Sequence, residues 1–85
     1  MAVKILYFAW VREKVGRAEE IVDLPEEVST VAGLIAWLGR CDSRHAEAFA
    51  NPGVIRAAID RRHVAGHARL EGAREIAFFP PVTGG

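Results

Sequence analysis

The two most apolar strand candidates of this chain stand at its opposite ends, and that constrains the centre of any sheet it builds. Residues 3–10 (VKILYFAW) and 75–79 (EIAFF) are short apolar runs rich in β-branched and aromatic residues, the composition of buried strands. Apolar strands belong in the middle of a sheet, where both edges of the backbone find partners. First and last strand therefore pair at the centre. Alternation places Val3, Ile5, Tyr7 and Ala9 on one face of the first run and Lys4, Leu6, Phe8 and Trp10 on the other, because successive side chains of a strand point to opposite sides. The second face is too apolar to be plain solvent surface.

Between these ends the pattern changes period. After a turn or short helix at residues 11–16, residues 20–24 (EIVDL) read as a second strand stopped by Pro25. Ser29 or Thr30 is placed to cap a helix whose apolar residues Val31, Leu34, Ile35 and Leu38 fall at i, i+3, i+4 and i+7. Gly39 helps to end it, and Gly33 inside it costs about 1 kcal/mol relative to alanine. Residues 43–50 suggest a second short helix, halted by Asn51-Pro52-Gly53. In residues 54–60, Ile55, Ala57 and Ile59 alternate with Arg56 and Ala58, a third strand; Asp60-Arg61-Arg62 then turns into a short strand around His63 and Val64. The expected fold is α+β, a mixed sheet with the helix of residues 31–38 across one face. Its core joins Ile5, Tyr7, Ile55, Ile59, Ile76 and Phe78 to Leu34, Ile35 and Leu38. Leu6, Phe8, Ala77 and Phe79 remain on the other face, an apolar patch of the kind that marks a protein interface.

Eighty-five residues make one small domain, which buries only about 60–65% of the surface its unfolded chain exposes. Lys plus Arg and Asp plus Glu are 11 each, so no net field invites nucleic acid or an anionic membrane. The single Cys41 has no internal disulfide partner, and no signal peptide or long apolar run is present, so the cytosol is the expected compartment. No phosphate-binding glycine loop and no dinucleotide fingerprint occur; this chain binds no ATP of its own. His63 and His67 are four apart but separated by Gly66 and without a third ligand, which argues against a metal site. Cys41 and His45 suggest a thiol nucleophile, yet no orienting third group can be named. The cluster Arg56, Arg61, Arg62 reads equally as a solvated rim or as a charged contact with a partner.

Past residue 79 the composition turns abruptly. A domain of residues 1–79 is followed by an extended, flexible tail of residues 80–85, Pro80-Pro81-Val82-Thr83-Gly84-Gly85. Proline lacks an amide donor and fixes φ, so the diproline stops the strand and starts a polyproline-like exit. Gly84 and Gly85 have no Cβ and suit a channel too narrow for side chains. A terminal carboxylate is unreactive until activated, for example as an acyl adenylate, whereupon its carbon accepts sulfide or an amine. An ordinary loose chain end is the bland alternative.

The start VKILYFAWVREKVG and the ending EIAFFPPVTGG resemble the small, sulfur-carrying subunit of molybdopterin synthase, of the ubiquitin-like β-grasp family that also includes the thiamine-pathway sulfur carrier. The likeness spans the chain, and Phe-Phe-Pro-Pro-Val-Thr-Gly-Gly is its specific part. Asp60 stands where relatives often carry Asn, and Ala73-Arg74-Glu75 where they often have Gly-Asp-Glu. The resemblance implies that Gly85 is adenylated with ATP by an adenylyltransferase resembling the ubiquitin activators. A persulfide sulfur donor then converts it to a thiocarboxylate. It implies further that the tail enters the large synthase subunit, where two rounds of sulfur transfer build the dithiolene on cyclic pyranopterin monophosphate, in a tetramer of two small and two large subunits. Gly85 would bear the sulfur and Gly84 would let the tail fit. Leu6, Phe8, Phe79, Pro80, Pro81, Val82 and Thr83 would contact the partner. No catalytic side chain and no bound cofactor is expected in this chain itself. A carrier for another pathway, such as thiamine synthesis, and a ubiquitin-like protein modifier are the alternatives.

Overall fold

The computed structural model describes residues 2–81. Strand β1 (Ala2–Tyr7) leads into helix α1 (Ala9–Val15), strand β2 (Glu19–Asp23) and helix α2 (Val31–Leu38). Helix α3 (Ser43–Ala48), a 3-10 turn at Pro52–Val54, and strands β3 (Arg56–Ile59), β4 (Arg62–Val64) and β5 (Glu75–Phe79) complete the described chain. The five strands lie in the order β2-β1-β5-β3-β4. β1 and β5 run parallel at the centre, with Ile5 opposite Ile76 and Tyr7 opposite Phe78, and the remaining pairs are antiparallel. This is the β-grasp arrangement that the resemblance implied.

One core fills the helical face. Ile5, Tyr7, Leu34, Ile35, Leu38, Ile55, Ile76 and Phe78 are buried, as their periodicities required, while Ile59 is half-buried and packs against them. Tyr7, Phe49 and Phe78 form its aromatic centre, with the Phe49 and Phe78 rings edge-to-face at 5.3 Å between centroids, a geometry aromatic quadrupoles favour. Helix α2 forms where the sequence placed it. The Gly33 amide donates to Thr30 Oγ1 at 3.1 Å, and the Val31 and Ala32 amides donate to the carbonyls of Ala68 and Gly66. The loop before β5 thereby satisfies amides that a helix start leaves without internal partners.

Three local readings differ. The first apolar run does not continue as strand to Trp10: Ala9 takes φ +52 and opens α1, which buries Val11 and Val15 one turn apart and ends at Gly16 in the left-handed region. Trp10 therefore packs against the core from a helix and does not stand on the outer face of the sheet. The third strand begins at Arg56 because Pro52 starts a 3-10 turn. It ends at Ile59 because Asp60 and Arg61, at φ +48 and +72, make a two-residue hairpin turn, the twist that joins antiparallel strands most directly.

Candidate functional site

The sheet delivers the chain to its exit at the end of β5. The Phe8 amide donates to the Phe78 carbonyl at 3.1 Å, and Phe79 stands in register with Arg56. Pro80 follows with no amide to offer, so the ladder closes there; Pro80 and Pro81 are both half-buried. The expected reactive position Gly85, with Gly84, Thr83 and Val82, lies outside the described residues.

Beside this exit lies the face of the sheet turned away from the helices. Register sets a row across all five strands: Glu19, Leu6, Ala77, Ala58 and His63. Leu6 and Phe79 are half-buried, and Phe8, just beyond β1, keeps 48% of its surface exposed. Ile21 on the edge strand β2 keeps 74%. Ala58 is only 6% exposed although it belongs to this face, and the Phe79 and His63 rings, from the strands on either side of β3, lie 5.1 Å apart. The structure thus brings Leu6 and Phe79 to one side of the sheet, with Phe8, Pro80 and Pro81 following at the exit end of β1 and β5. His63, weighed from the sequence as a metal ligand, is instead the ring neighbour of Phe79. That contact rests on register through β3 and is invisible in one dimension.

A polar cluster around the buried His45 joins the sheet to α3, with Glu20 half-buried and Asp42 exposed, and sequence reasoning missed it. Tyr7 Oη donates to Glu20 Oε2 at 2.6 Å, and the same oxygen lies 2.7 Å from His45 Nε2. His45 Nδ1 is 2.8 Å from Asp42 Oδ1, which also caps α3 by accepting the His45 amide. His45 is only 5% exposed. Burial opposes its charged form, but hydrogen bonds and charge from Glu20 and Asp42 outweigh burial and raise its pKa. For Glu20 burial again opposes the charge, and the bonds from Tyr7 and His45 outweigh it, so its carboxyl is held below the ordinary range. Burial first, and then the Glu20 bond, push the Tyr7 phenol up.

This cluster disposes of the thiol-nucleophile reading. Both His45 nitrogens are engaged by carboxylates, leaving none to take a proton from Cys41. Burial and the charges of Glu20 and Asp42 raise the Cys41 pKa, which disfavours the reactive thiolate. Among the described residues no three His, Cys, Asp or Glu side chains converge as a metal site. No described helix is long and apolar enough to cross a membrane.

Comparison with known proteins places this geometry. The ThiS family profile matches residues 5–85. The molybdopterin synthase sulfur carrier subunit of Escherichia coli (strain K12) is 36% identical over 83 residues, 98% of this chain and 99% of its own. The subunit of the same name from Mycosarcoma maydis is 33% identical over 89 residues, 99% of this chain and 94% of its own. Among solved structures, a Pyrococcus furiosus chain assigned as molybdopterin converting factor subunit 1 superposes with TM-score 0.73 at 26% identity, covering 96% of this chain and 99% of that one. SAMP1 of Haloferax volcanii has the same TM-score at 22% identity over the whole of both chains, a likeness of fold alone. The chain belongs to the ThiS family, as a ubiquitin-like β-grasp protein whose curated relatives are sulfur carrier subunits of molybdopterin synthase.

Proposed function

We propose that this chain carries sulfur on the carboxyl carbon of Gly85 for molybdenum cofactor synthesis. The observation that carries the reading is the near full-length similarity to molybdopterin synthase sulfur carrier subunits, in a chain whose sequence ends Phe79-Pro80-Pro81-Val82-Thr83-Gly84-Gly85. In this reading an adenylyltransferase transfers AMP from ATP to the Gly85 carboxylate, releasing pyrophosphate. The terminal sulfur of a persulfide donor then attacks the acyl carbon as AMP leaves, giving an acyl disulfide. A thiol cleaves its S–S bond, leaving with the donor sulfur as a disulfide, and the freed thiocarboxylate attacks cyclic pyranopterin monophosphate within the large synthase subunit. The chain contributes the carrier atom, the thin Gly84-Gly85 end and the docking face of Leu6, Phe8, Phe79, Pro80 and Pro81, and the partner contributes the catalytic side chains. The cytosol is where such partners would be met.

Intact mass tests the reading. Protein isolated from cells that hold the cofactor pathway but lack the large subunit should include a population heavier by the difference between sulfur and oxygen, lost when Gly85 is removed. If only the unmodified mass is found after incubation with activating enzyme, ATP and a persulfide donor, the carrier reading fails. Covalent adducts on other proteins in that experiment would turn the assignment to a protein modifier.

A further inference from the structure

We infer that the surface which receives the outer face of the sheet presents a carboxylate beside the tail exit, and that Arg56 recognises it. The inference rests on the docking reading above and adds the chemistry of the partner. In the sequence Arg56, Arg61 and Arg62 look like one cluster; the fold separates them. Arg61 lies in the β3–β4 turn, at the opposite end of β3 from the tail. Arg62 stands opposite Ile59, on the alternation that serves the helical face. Arg56 stands directly opposite Phe79, on the outer face and at the exit.

The charges around it are unevenly balanced. Lys4 on the same face pairs with Glu19 at 3.4 Å, and Glu75 lies four residues down β5 from Phe79, roughly 13 Å away at the rise of a strand. Arg56 itself makes a hydrogen bond of 3.5 Å to the Gly53 carbonyl, and among the described residues it is in no ion pair. A partner that buries Phe79 also approaches Arg56, the residue next to it across the ladder. Covering a guanidinium without a counter-charge is costly, whereas its planar fork matches a carboxylate with two parallel hydrogen bonds. The apolar anchor and the cation are thus held side by side: the His63 ring flanks Phe79, and the antiparallel pairing of β3 with β5 fixes Arg56 beside it. A carboxylate opposite Arg56 would set the rotational register of docking about the Phe79 anchor. Reversing such a charge sets like charges against each other, which costs affinity as well as encounter rate.

The test uses the full-length chain and the large synthase subunit of the same organism, titrated calorimetrically at low and at raised salt. Arg56→Glu should weaken binding roughly tenfold or more and flatten the salt dependence of the affinity. Arg62→Glu, on the other alternation, should remain within about twofold of wild type. If Arg56→Glu binds as tightly as wild type or tighter while Phe79→Ala binds weakly, the face docks but the partner is not acidic there, and this inference falls. If Phe79→Ala and Arg56→Glu both bind as wild type, the docking reading itself falls. Should Arg56→Glu lose the wild-type melting transition, Arg56→Gln takes its place, with a smaller loss of affinity expected and no change overturning the inference.

Discussion

Single residues set the local backbone strain and the local charge balance of this fold. Arg61 sits at φ +72, in a region that costs a residue with a Cβ atom and costs glycine nothing. Arg61→Gly should therefore raise stability by about 0.5–1 kcal/mol, the strain relieved less the greater freedom of the unfolded chain, read as the midpoint of chemical denaturation; a lowered midpoint would mean that the arginine side chain does more than turn. Its neighbour Asp60, also at positive φ, accepts the Arg74 and Glu75 amides at 3.1 and 2.9 Å, so its carboxylate ties the hairpin turn to the start of β5. The buried His45 gives a pH signature. Its pKa is raised, so its contribution is complete below the ordinary histidine value of 6.5 and is lost as pH rises through the folded value. That of Glu20 is lowered, so its contribution is complete above 4.5 and is lost as pH falls through the folded value. Stability should peak between these limits. His45→Gln, even if less stable throughout, should lose the decline on the alkaline side; an unchanged slope in denaturation series from pH 6 to about 9 would remove His45 from the account.

At the scale of elements, what was legible depended on whether a signal is local. α2 announces itself through four apolar residues at helical spacing and a threonine cap. The central pairing of β1 and β5 follows from two strands too apolar to lie at an edge. Leu34 is fully buried where α2 meets the sheet, and Leu34→Ala should cost about 2–5 kcal/mol as a cavity in the core, a large share of the stability of so small a domain. Retention of the wild-type melting temperature would deny α2 its packing role. The helical start of α1 was not legible, because Ala9 and Trp10 prolong an apolar run whose period does not distinguish strand from helix over so few residues. The polar cluster left one faint mark: Glu20 shares the core-facing alternation of β2 with Val22, and a carboxylate on that side needs a partner. That the partner would be His45, 25 residues away, is decided by where α3 packs. The outer face was legible as alternation in β1 and β5, but the meeting of Phe79 with His63 requires the register of three strands.

At the scale of the whole molecule, the proposed function asks the folded part for stability and the end of the sequence for chemistry. Among the described residues, every member of the apolar core lies before Pro80, and the strand ladder closes at Phe79. Stability and sulfur transfer should then respond to different substitutions. On the proposed function, removal of Gly85 takes away the carrier carbon, and the variant should melt as wild type does and bind the large subunit through Leu6, Phe8 and Phe79, yet yield no thiocarboxylate and no dithiolene product. Phe79→Ala should do the reverse at the interface, weakening the complex by roughly 1–4 kcal/mol if the ring is an anchor, while the terminus is still charged with sulfur by the activating enzyme whenever that enzyme reads the tail alone. The two variants mixed with wild-type partners form a complementary pair: one docks without reacting, the other is charged but docks poorly. Loss of the thermal transition on removal of Gly85 would show that the end of the chain is part of the folded core. Equal affinity of the Phe79→Ala and wild-type chains for the large subunit would move the interface away from the outer face and leave the tail alone to hold the complex.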